Sequence, residues 1–317
     1  MVRFFAIAGI AILSLANAAD ISISSNCDCG YNDPSFNSNW NEMWHMSFEE
    51  KTNFGGGNQY LYSHKDLFFS NYEIAAKFND PYSRVFRKEN VVIRDESLEI
   101  GVTIDPLYNG TGNPIHCGGI GTTRQDFLYG SFRSFIRTTK VEGTVTGMFI
   151  FHPEGEIDIE MLGSVQPSQA YFAMHPGLTD NGKASALTHG NYIFDYDPTE
   201  EYHEYRFDWY PDLTIFFIDG IESYRMTTNI LTKPSRLMFN HWTDGNQNFS
   251  QGPVKENAFV NIKNMTLFFN SSDSLMSAPK CINVNGTCDI ESKYVDHSSV
   301  NCIINNFLHR NRDDLKR

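Results

Sequence analysis

Three carboxylates alternate with apolar residues in one short stretch, and they are the clearest candidates for acid–base chemistry. Glu156, Asp158 and Glu160 are separated by Ile157 and Ile159. In a β-strand this period of two places the acids on one face and the apolar side chains on the other. Neighbouring like charges repel, which raises at least one pKa and leaves a protonated acid beside an ionised base. Cleavage of a glycosidic bond uses such a pair of carboxyl groups.

The spacing of the acids leaves other interpretations open. Alternating acids also occur on a solvated strand face, and they could bind calcium. On a flat strand the Cα atoms of Glu156 and Glu160 would lie about 13 Å apart. Carboxyl groups that lean inward could reach the separation of about 5–5.5 Å found in retaining glycosidases, but the wider inverting separation is equally compatible.

The elements around the acids are predicted to be short strands joined by turns. Val91–Ile104 contains two β-rich runs around a polar turn, and Asp219-Gly220 is typical of a tight hairpin. Many short strands with regular turn residues favour an all-β sandwich or barrel. Further strands are predicted at Gly130–Arg137, Gly147–Phe151, Ile157–Leu162, Ala170–Met174, His203–Tyr210, Thr214–Ile218, Arg236–Asn240 and Phe259–Phe269.

The acidic stretch and its flanking motifs resemble glycoside hydrolase family 16, with most similarity to secreted fungal members. The resemblance extends over residues 27–272 and keeps the order of the family's landmarks. Its motifs are Cys117-Gly118-Gly119-Ile120-Gly121, Phe127-Leu128-Tyr129-Gly130, Gly155-Glu156-Ile157-Asp158-Ile159-Glu160, His203-Glu204-Tyr205-Arg206-Phe207 and Leu237-Met238-Phe239-Asn240-His241-Trp242.

The resemblance implies a concanavalin A-like jelly-roll sandwich of two antiparallel sheets, with a concave cleft for the substrate. It implies that Glu156 is the nucleophile of a retaining reaction and that Glu160 is the general acid/base. Asp158, between them, would hold the nucleophile and tune its charge. No cofactor and no metal ion is expected.

Sugar rings present flat apolar faces, so clefts that bind them usually combine aromatic platforms with polar groups. Phe149, His175, Asn240 and Trp242 are the candidate substrate contacts. Asn240 and Trp242 share a strand face, and a polar, turn-rich segment follows them. We therefore expect Trp242 to form a wall of the cleft rather than part of the core.

Three functions are compatible with this pattern, ranked as follows. The first is a retaining endo-β-glucanase acting on β-1,3 or mixed β-1,3/1,4 glucan. The second is a transglycosylase that remodels cell-wall glucan or chitin–glucan, in which a sugar hydroxyl replaces water as the acceptor. The third is a lectin-like glucan-binding module, which the three intact acids disfavour.

The composition of the chain restricts the classes of molecule that it is expected to bind. The formal net charge of −13 argues against nucleic acid and against anionic membranes, and it fits a neutral polysaccharide substrate. We expect a monomer that is not embedded in a membrane. Of the 317 residues, 41% are hydrophobic and 14% aromatic, which indicates a globular protein.

The ends of the chain predict three segments. Residues 1–18 resemble a signal peptide, because Arg3 precedes an apolar stretch and Ala16-Asn17-Ala18 fits a cleavage site. Residues 19–272 would form the catalytic jelly roll, and residues 273–317 a cysteine-containing tail packed on it. The protein is therefore expected outside the cell or in the cell wall.

Cysteines and glycosylation motifs fit an oxidising compartment. Six cysteines could form three disulfides, with the pairing left open. They are Cys27, Cys29, Cys117, Cys281, Cys288 and Cys302. Five Asn-x-Ser/Thr motifs predict N-glycosylation at Asn109, Asn248, Asn264, Asn270 and Asn285.

Overall fold

The computed structural model describes residues 27, 29–34, 36–48, 57–77, 80–107, 113–163, 165–273 and 287–290. The predicted signal peptide, Cys281, Cys302, Asn109 and Asn285 lie outside these residues. The boundaries of the three predicted segments therefore stay predictions.

The described residues form mostly antiparallel strands, with a single short α-helix and one turn of 3-10 helix. In chain order the elements are β1 (Tyr31–Asp33), β2 (Ser38–Trp40), β3 (Glu42–Ser47), α1 (Asn58–Tyr62), β4 (Leu67–Phe69), β5 (Glu73–Ile74), β6 (Arg84–Phe86), the 3-10 turn (Lys88–Asn90), β7 (Val91–Arg94), β8 (Ser97–Ile104), β9 (Ile115–Thr122), β10 (Phe127–Arg137), β11 (Val145–His152), β12 (Gly155–Leu162), β13 (Gln169–His175), β14 (Thr179–Asp180), β15 (Lys183–Ala184), β16 (His189–Ile193), β17 (His203–Trp209), β18 (Thr214–Ile218), β19 (Ile221–Met226), β20 (Arg236–Trp242), β21 (Ala258–Ser271) and β22 (Cys288–Asp289).

Two antiparallel layers build a jelly-roll sandwich, as predicted. One layer, here called the acid-bearing sheet, has the strand order β16-β13-β12-β11-β20-β9-β4. The other layer contains β19-β18-β17-β10-β21, and β21 pairs further with β3 and β8. The catalytic strand β12 therefore lies near the middle of its sheet, where neighbours on both sides fix its register.

The core between the layers is built by the apolar half of each strand pattern. Ile157 and Ile159 of β12 are fully buried and belong to the same cluster as Phe172, Phe207 and Phe216. Burying one such side chain contributes about 1.5–3 kcal/mol. A shift of β12 by one residue would expose this apolar row and bury the acids, so packing holds the acids on the outer face.

The predicted Asp219-Gly220 hairpin is present between β18 and β19. Both residues have positive φ, 48° for Asp219 and 75° for Gly220. A two-residue hairpin of this type needs left-handed backbone at both positions, which glycine and aspartate adopt at low cost.

A small three-stranded sheet, β2-β1-β22, connects the two ends of the described chain. A disulfide joins Cys27 to Cys288, and Asp33 of β1 accepts hydrogen bonds from Arg133 (3.0 Å) and Arg206 (2.8 Å). All three charged side chains are buried, so the loss of one partner would leave a buried unpaired charge, at about 3–5 kcal/mol.

The prediction of a disulfide at Cys117 is wrong. Cys117 is a free, buried thiol in β9, and burial raises its pKa to about 11. It packs with Phe86, Val145, Leu162 and Trp242 in the acid-bearing sheet. Cys27 and Cys288 are bonded to each other at the small sheet, and Cys29 is also disulfide-bonded. The count of cysteines could not separate a core thiol from a cross-linked one.

Two further expectations concern the surface. Within the described residues, no helix is both long and apolar enough to cross a bilayer. Asn248 is exposed, whereas Asn264 and Asn270 are half-buried in β21. Glycosylation stays a prediction at all five sites, and the exposure of Asn248 makes it the most accessible of the three described ones.

Candidate active site

The acids lie on one face of β12, and the pairing register identifies their neighbours. Directly opposed residues of antiparallel strands project to the same face of the sheet. Glu156 is opposed by Phe151 and His175, Asp158 by Phe149 and Ala173, and Glu160 by Gly147 and Tyr171. We call this side of the acid-bearing sheet the acid face.

Burial and mutual repulsion raise the pKa values of the acids. Burial is the largest cause for each of them. The charge of Glu156 adds to burial and brings the pKa of Glu160 to about 7, although Arg84 opposes the rise. The pKa of Asp158 is raised well above its ordinary value. Burial is the first cause, and the negative charges of Glu156 and Glu160 on either side add to the rise.

Of the three acids, Glu156 is the one whose ionised form is best stabilised by its neighbours. Burial raises its pKa, but a hydrogen bond from Asp158 and the positive charge of Arg84 both oppose that rise. The same hydrogen bond raises the pKa of Asp158, so Asp158 is the protonated donor of the pair. The directions of these shifts favour a proton on Asp158 and a charge on Glu156, while the pKa of Glu160 is about 7.

The arrangement supplies a nucleophile and a proton donor on one strand. An ionised Glu156 can attack an electrophilic carbon, and a protonated Glu160 can donate to a leaving oxygen. The environments of the two carboxyl groups separate their roles, which the spacing in sequence could not do.

His175 and Phe149 lie on the acid face, where the sequence analysis expected substrate contacts. Nε2 of His175 is 3.5 Å from Oδ2 of Asp158, and this buried oxygen has no hydrogen-bond partner among the described residues. Burial and the nearby His189 lower the pKa of His175, which favours the neutral ring beside Asp158. A role of either residue in substrate binding stays a prediction.

Asn240 reaches towards Glu160 across a glycine. In the register, Asn240 opposes Gly147, which in turn opposes Glu160. A Cβ at position 147 would lie only 2.5 Å from Oδ1 of Asn240, so the carboxamide occupies the space above the glycine. Its Oδ1 is buried and has no hydrogen-bond partner in the described part of the chain, which suits a group that meets a ligand.

Trp242 shares the acid face with Asn240, but it does not form the open wall that the sequence analysis expected. Its side chain is only 6% exposed and packs with Phe86, Val145 and Leu162. The guanidinium of Arg84 lies over the indole, 4.7 Å from the ring centroid. A polar turn after a strand was therefore a poor indicator of exposure.

This burial changes the expected result of Trp242→Ala. The substitution should lower the melting temperature by several degrees, because removing a buried tryptophan costs about 3–5 kcal/mol. Thermal unfolding of the variant beside the unsubstituted protein checks this. An unchanged melting temperature would contradict the burial of Trp242.

Four residues of the acid face are not among the predicted substrate contacts, although the sequence already places Phe151 on the same strand face as Phe149. Phe151 is 43% exposed beside Glu156, and Tyr171 opposes Glu160. Arg236 opposes Phe151, and Arg84 covers Trp242. The first three could have been found from the alternation of side chains along a strand. Each lies an even number of residues from a predicted contact on the same strand, and therefore on the same face. Arg84 had no such signal, because β6 reaches the site only through parallel pairing with β9.

The pKa values predict a bell-shaped dependence of activity on pH. The reaction needs Glu160 protonated and Glu156 ionised. Activity should fall as the pH rises through about 7, where Glu160 loses its proton, and fall at low pH as Glu156 gains one. Initial rates against pH on a soluble glucan check this, and a rate that stays constant well above pH 8 would contradict it.

An antiparallel jelly roll with paired carboxyl groups on one face of a central strand defines a glycoside hydrolase of the β-sandwich type. Comparison with known proteins agrees with this class: the family described as "Glycosyl hydrolases family 16" matches residues 78–259, more than half of the chain. The protein belongs to this family.

Relatives with similar sequences are bacterial glucanases. The chain is 31% identical over 172 residues to "Xylanase/beta-glucanase" of Ruminococcus flavefaciens, which covers 51% of this chain and 20% of that protein. It is 30% identical over 147 residues to "Beta-glucanase" of Acetivibrio thermocellus, covering 44% of this chain and 41% of the relative. The chain thus spans less than half of the length of these relatives.

Solved structures show the same fold. The β-glucanase of Bacillus licheniformis superimposes with a TM-score of 0.57 at 20% identity, covering 71% of this chain and 97% of that one. The catalytic domain of an endo-1,3-beta-glucanase (laminarinase) from Thermotoga petrophila gives 0.56 at 16% identity, covering 73% and 97%. At these identities the likeness establishes the fold.

Within the described residues, no group of three or more histidine, cysteine, aspartate or glutamate side chains is arranged to hold a metal ion. The expectation that no metal ion is bound stays a prediction.

Proposed function

We propose that the protein is a secreted, retaining endo-β-glucanase that cleaves β-1,3 or mixed β-1,3/1,4 glucan. One observation carries the proposal: three acids share one strand face, with Glu160 titrating near neutral pH and Glu156 held by Asp158. The similarity to proteins called β-glucanases supports glucan as the substrate class.

In the proposed reaction the Glu156 carboxylate attacks the anomeric carbon while Glu160 gives its proton to the departing oxygen. The carbon–oxygen bond to the leaving sugar breaks, and a covalent ester forms between the glycosyl unit and Glu156. Glu160, now ionised, takes a proton from water, and the resulting hydroxide breaks the ester. The two inversions give net retention at the anomeric carbon.

A panel of polysaccharides tests the function. The purified protein is incubated with laminarin, lichenan, xyloglucan and chitin oligomers, and the products are separated by size, with Glu156→Gln as the matched inactive control. Shorter products from laminarin or lichenan are expected. Products longer than the substrate would instead identify a transglycosylase, and binding without any cleavage would identify a glucan-binding module.

Secretion belongs to the same proposal. The Cys27–Cys288 disulfide supports an oxidising compartment, and the signal-like residues 1–18 support export. N-terminal sequencing of protein from the culture medium is expected to begin at or next to Ala19. Recovery of Met1 on extracellular protein would contradict the cleavage.

A further inference from the structure

Two arginines of the described chain differ from the others in having no polar partner. The described residues include nine arginines, and seven of them donate hydrogen bonds or pair with a carboxylate. Within this part of the chain, Arg84 and Arg236 make neither kind of contact. The charge of Arg84 acts on Glu156 and Glu160, and Arg236 lies on the acid face in the same row as Phe151 and Glu156, so this feature coincides with the candidate active site.

The two guanidinium groups are held by aromatic rings on the acid face. Arg84 lies 4.7 Å from the centroid of Trp242, and Arg236 lies 4.8 Å from that of Phe68. Phe68 opposes Gly121 in the register, so it lies on the side of the acids formed by β20, β9 and β4. We call Arg84, Arg236 and their two rings the arginine arm.

Stacking satisfies only the flat face of a guanidinium. A cation over a ring gains about 0.5–2 kcal/mol, whereas the N–H groups on the edge still need acceptors. Burial lowers the pKa of Arg236, which shows that its charge is partly removed from water. Partly desolvated donors without acceptors, on the same face as the unpartnered Oδ1 of Asn240, are arranged for a polar ligand.

We propose that Arg84 and Arg236 are substrate-binding residues whose N–H edges donate hydrogen bonds to the hydroxyl oxygens of sugar units lying along β20, β9 and β4. The inference rests on the proposed glucanase function. A neutral sugar fits better than an anionic one, because the chain carries a net charge of −13 and the ionised Glu156 lies nearby. Arg84 thus offers the contact surface that the sequence analysis assigned to the indole of Trp242.

Binding of β-1,3 gluco-oligosaccharides of graded length tests the arm. Affinities are measured by calorimetry in the Glu156→Gln background, which does not cleave the ligand. Arg84→Met and Arg236→Met keep most of the aliphatic packing but remove the donors. Arg225→Met is the control, because Arg225 is exposed and pairs with Glu222, away from the acid face. Each arm variant should lose tenfold or more in affinity for long oligosaccharides, with an unchanged melting temperature and no loss in the control.

Two further measurements separate substrate binding from an effect on the acids. Loss of the Arg84 charge should raise the pKa of both Glu156 and Glu160, so both limbs of the pH profile should move to higher pH. Arg84→Lys should restore the pH profile but not the affinity, because an ammonium lacks the planar fork of donors. A shifted pH profile with unchanged affinity would overturn the substrate-binding role.

The remaining outcomes are also decisive. Unchanged affinity in both methionine variants would overturn the proposal. The proposal would also be overturned if the unsubstituted protein bound a sulfated or uronic oligosaccharide more tightly than a neutral one and both variants lost that binding. The arginine arm would then bind charged sugars. If the protein with both arginines intact bound no neutral oligosaccharide and cleaved no polysaccharide, the proposed function itself would be overturned.

Discussion

Glu156→Gln is expected to reduce glucan hydrolysis by about 10⁴-fold or more, the scale of losing a nucleophile. A neutral amide has nearly the shape of the carboxylate, but it cannot form the glycosyl ester. The fold should be unaffected, because the side chain lies on the acid face and takes no part in the core between the layers. Stability should be unchanged or higher, since one of three neighbouring acids is removed. Reducing-sugar assays and thermal unfolding measure both effects.

Azide identifies the role of Glu156 independently of rate. In Glu156→Ala the space left by the side chain can admit azide, which attacks an activated β-glycosyl substrate from the side of the missing carboxylate. The expected product is the α-glycosyl azide, identified by nuclear magnetic resonance. Formation of the β-anomer in this variant would mean that the roles of Glu156 and Glu160 are reversed.

Much of the fold followed from local patterns in the sequence. The strand Thr214–Ile218 and the turn at Asp219-Gly220 were predicted at their observed positions, because a short β-rich apolar run and turn chemistry act over a few residues. The predicted strand at Ile157–Leu162 lies within the observed β12. The positions of these elements are determined by the local conformational preferences of adjacent residues.

The parts of the site that depend on distant contacts could not be predicted in the same way. Trp242 is covered by Arg84, which lies far away in sequence, and Cys117 is buried among side chains from β6, β11, β12 and β20. The raised pKa of Glu160 likewise depends first on burial. Parity in a strand tells which face a residue occupies, but the neighbouring strands decide whether that position is open or covered.

Glu160→Gln is expected to slow hydrolysis of natural glucan by about 10²–10⁴-fold, the usual contribution of a general acid or base. The leaving oxygen of a sugar is a poor leaving group that needs the proton. Aryl glycosides with an acidic phenol need little protonation, so their first step should be nearly unaffected. A rapid burst of phenol followed by slow turnover is therefore expected, because the second step still lacks its base.

The same variant should respond to azide and to pH in ways that isolate the proton transfer. Azide needs no base, so in Glu160→Ala it should resolve the glycosyl ester and give the β-glycosyl azide, with faster turnover. The fall in activity above pH 7 should disappear in Glu160→Gln, because the group with a pKa of about 7 is gone. If the fall in activity above pH 7 persisted in Glu160→Gln, it would have to come from another titrating group. Asp158 would then be the acid to substitute next, because its pKa is also raised and it lies beside the nucleophile.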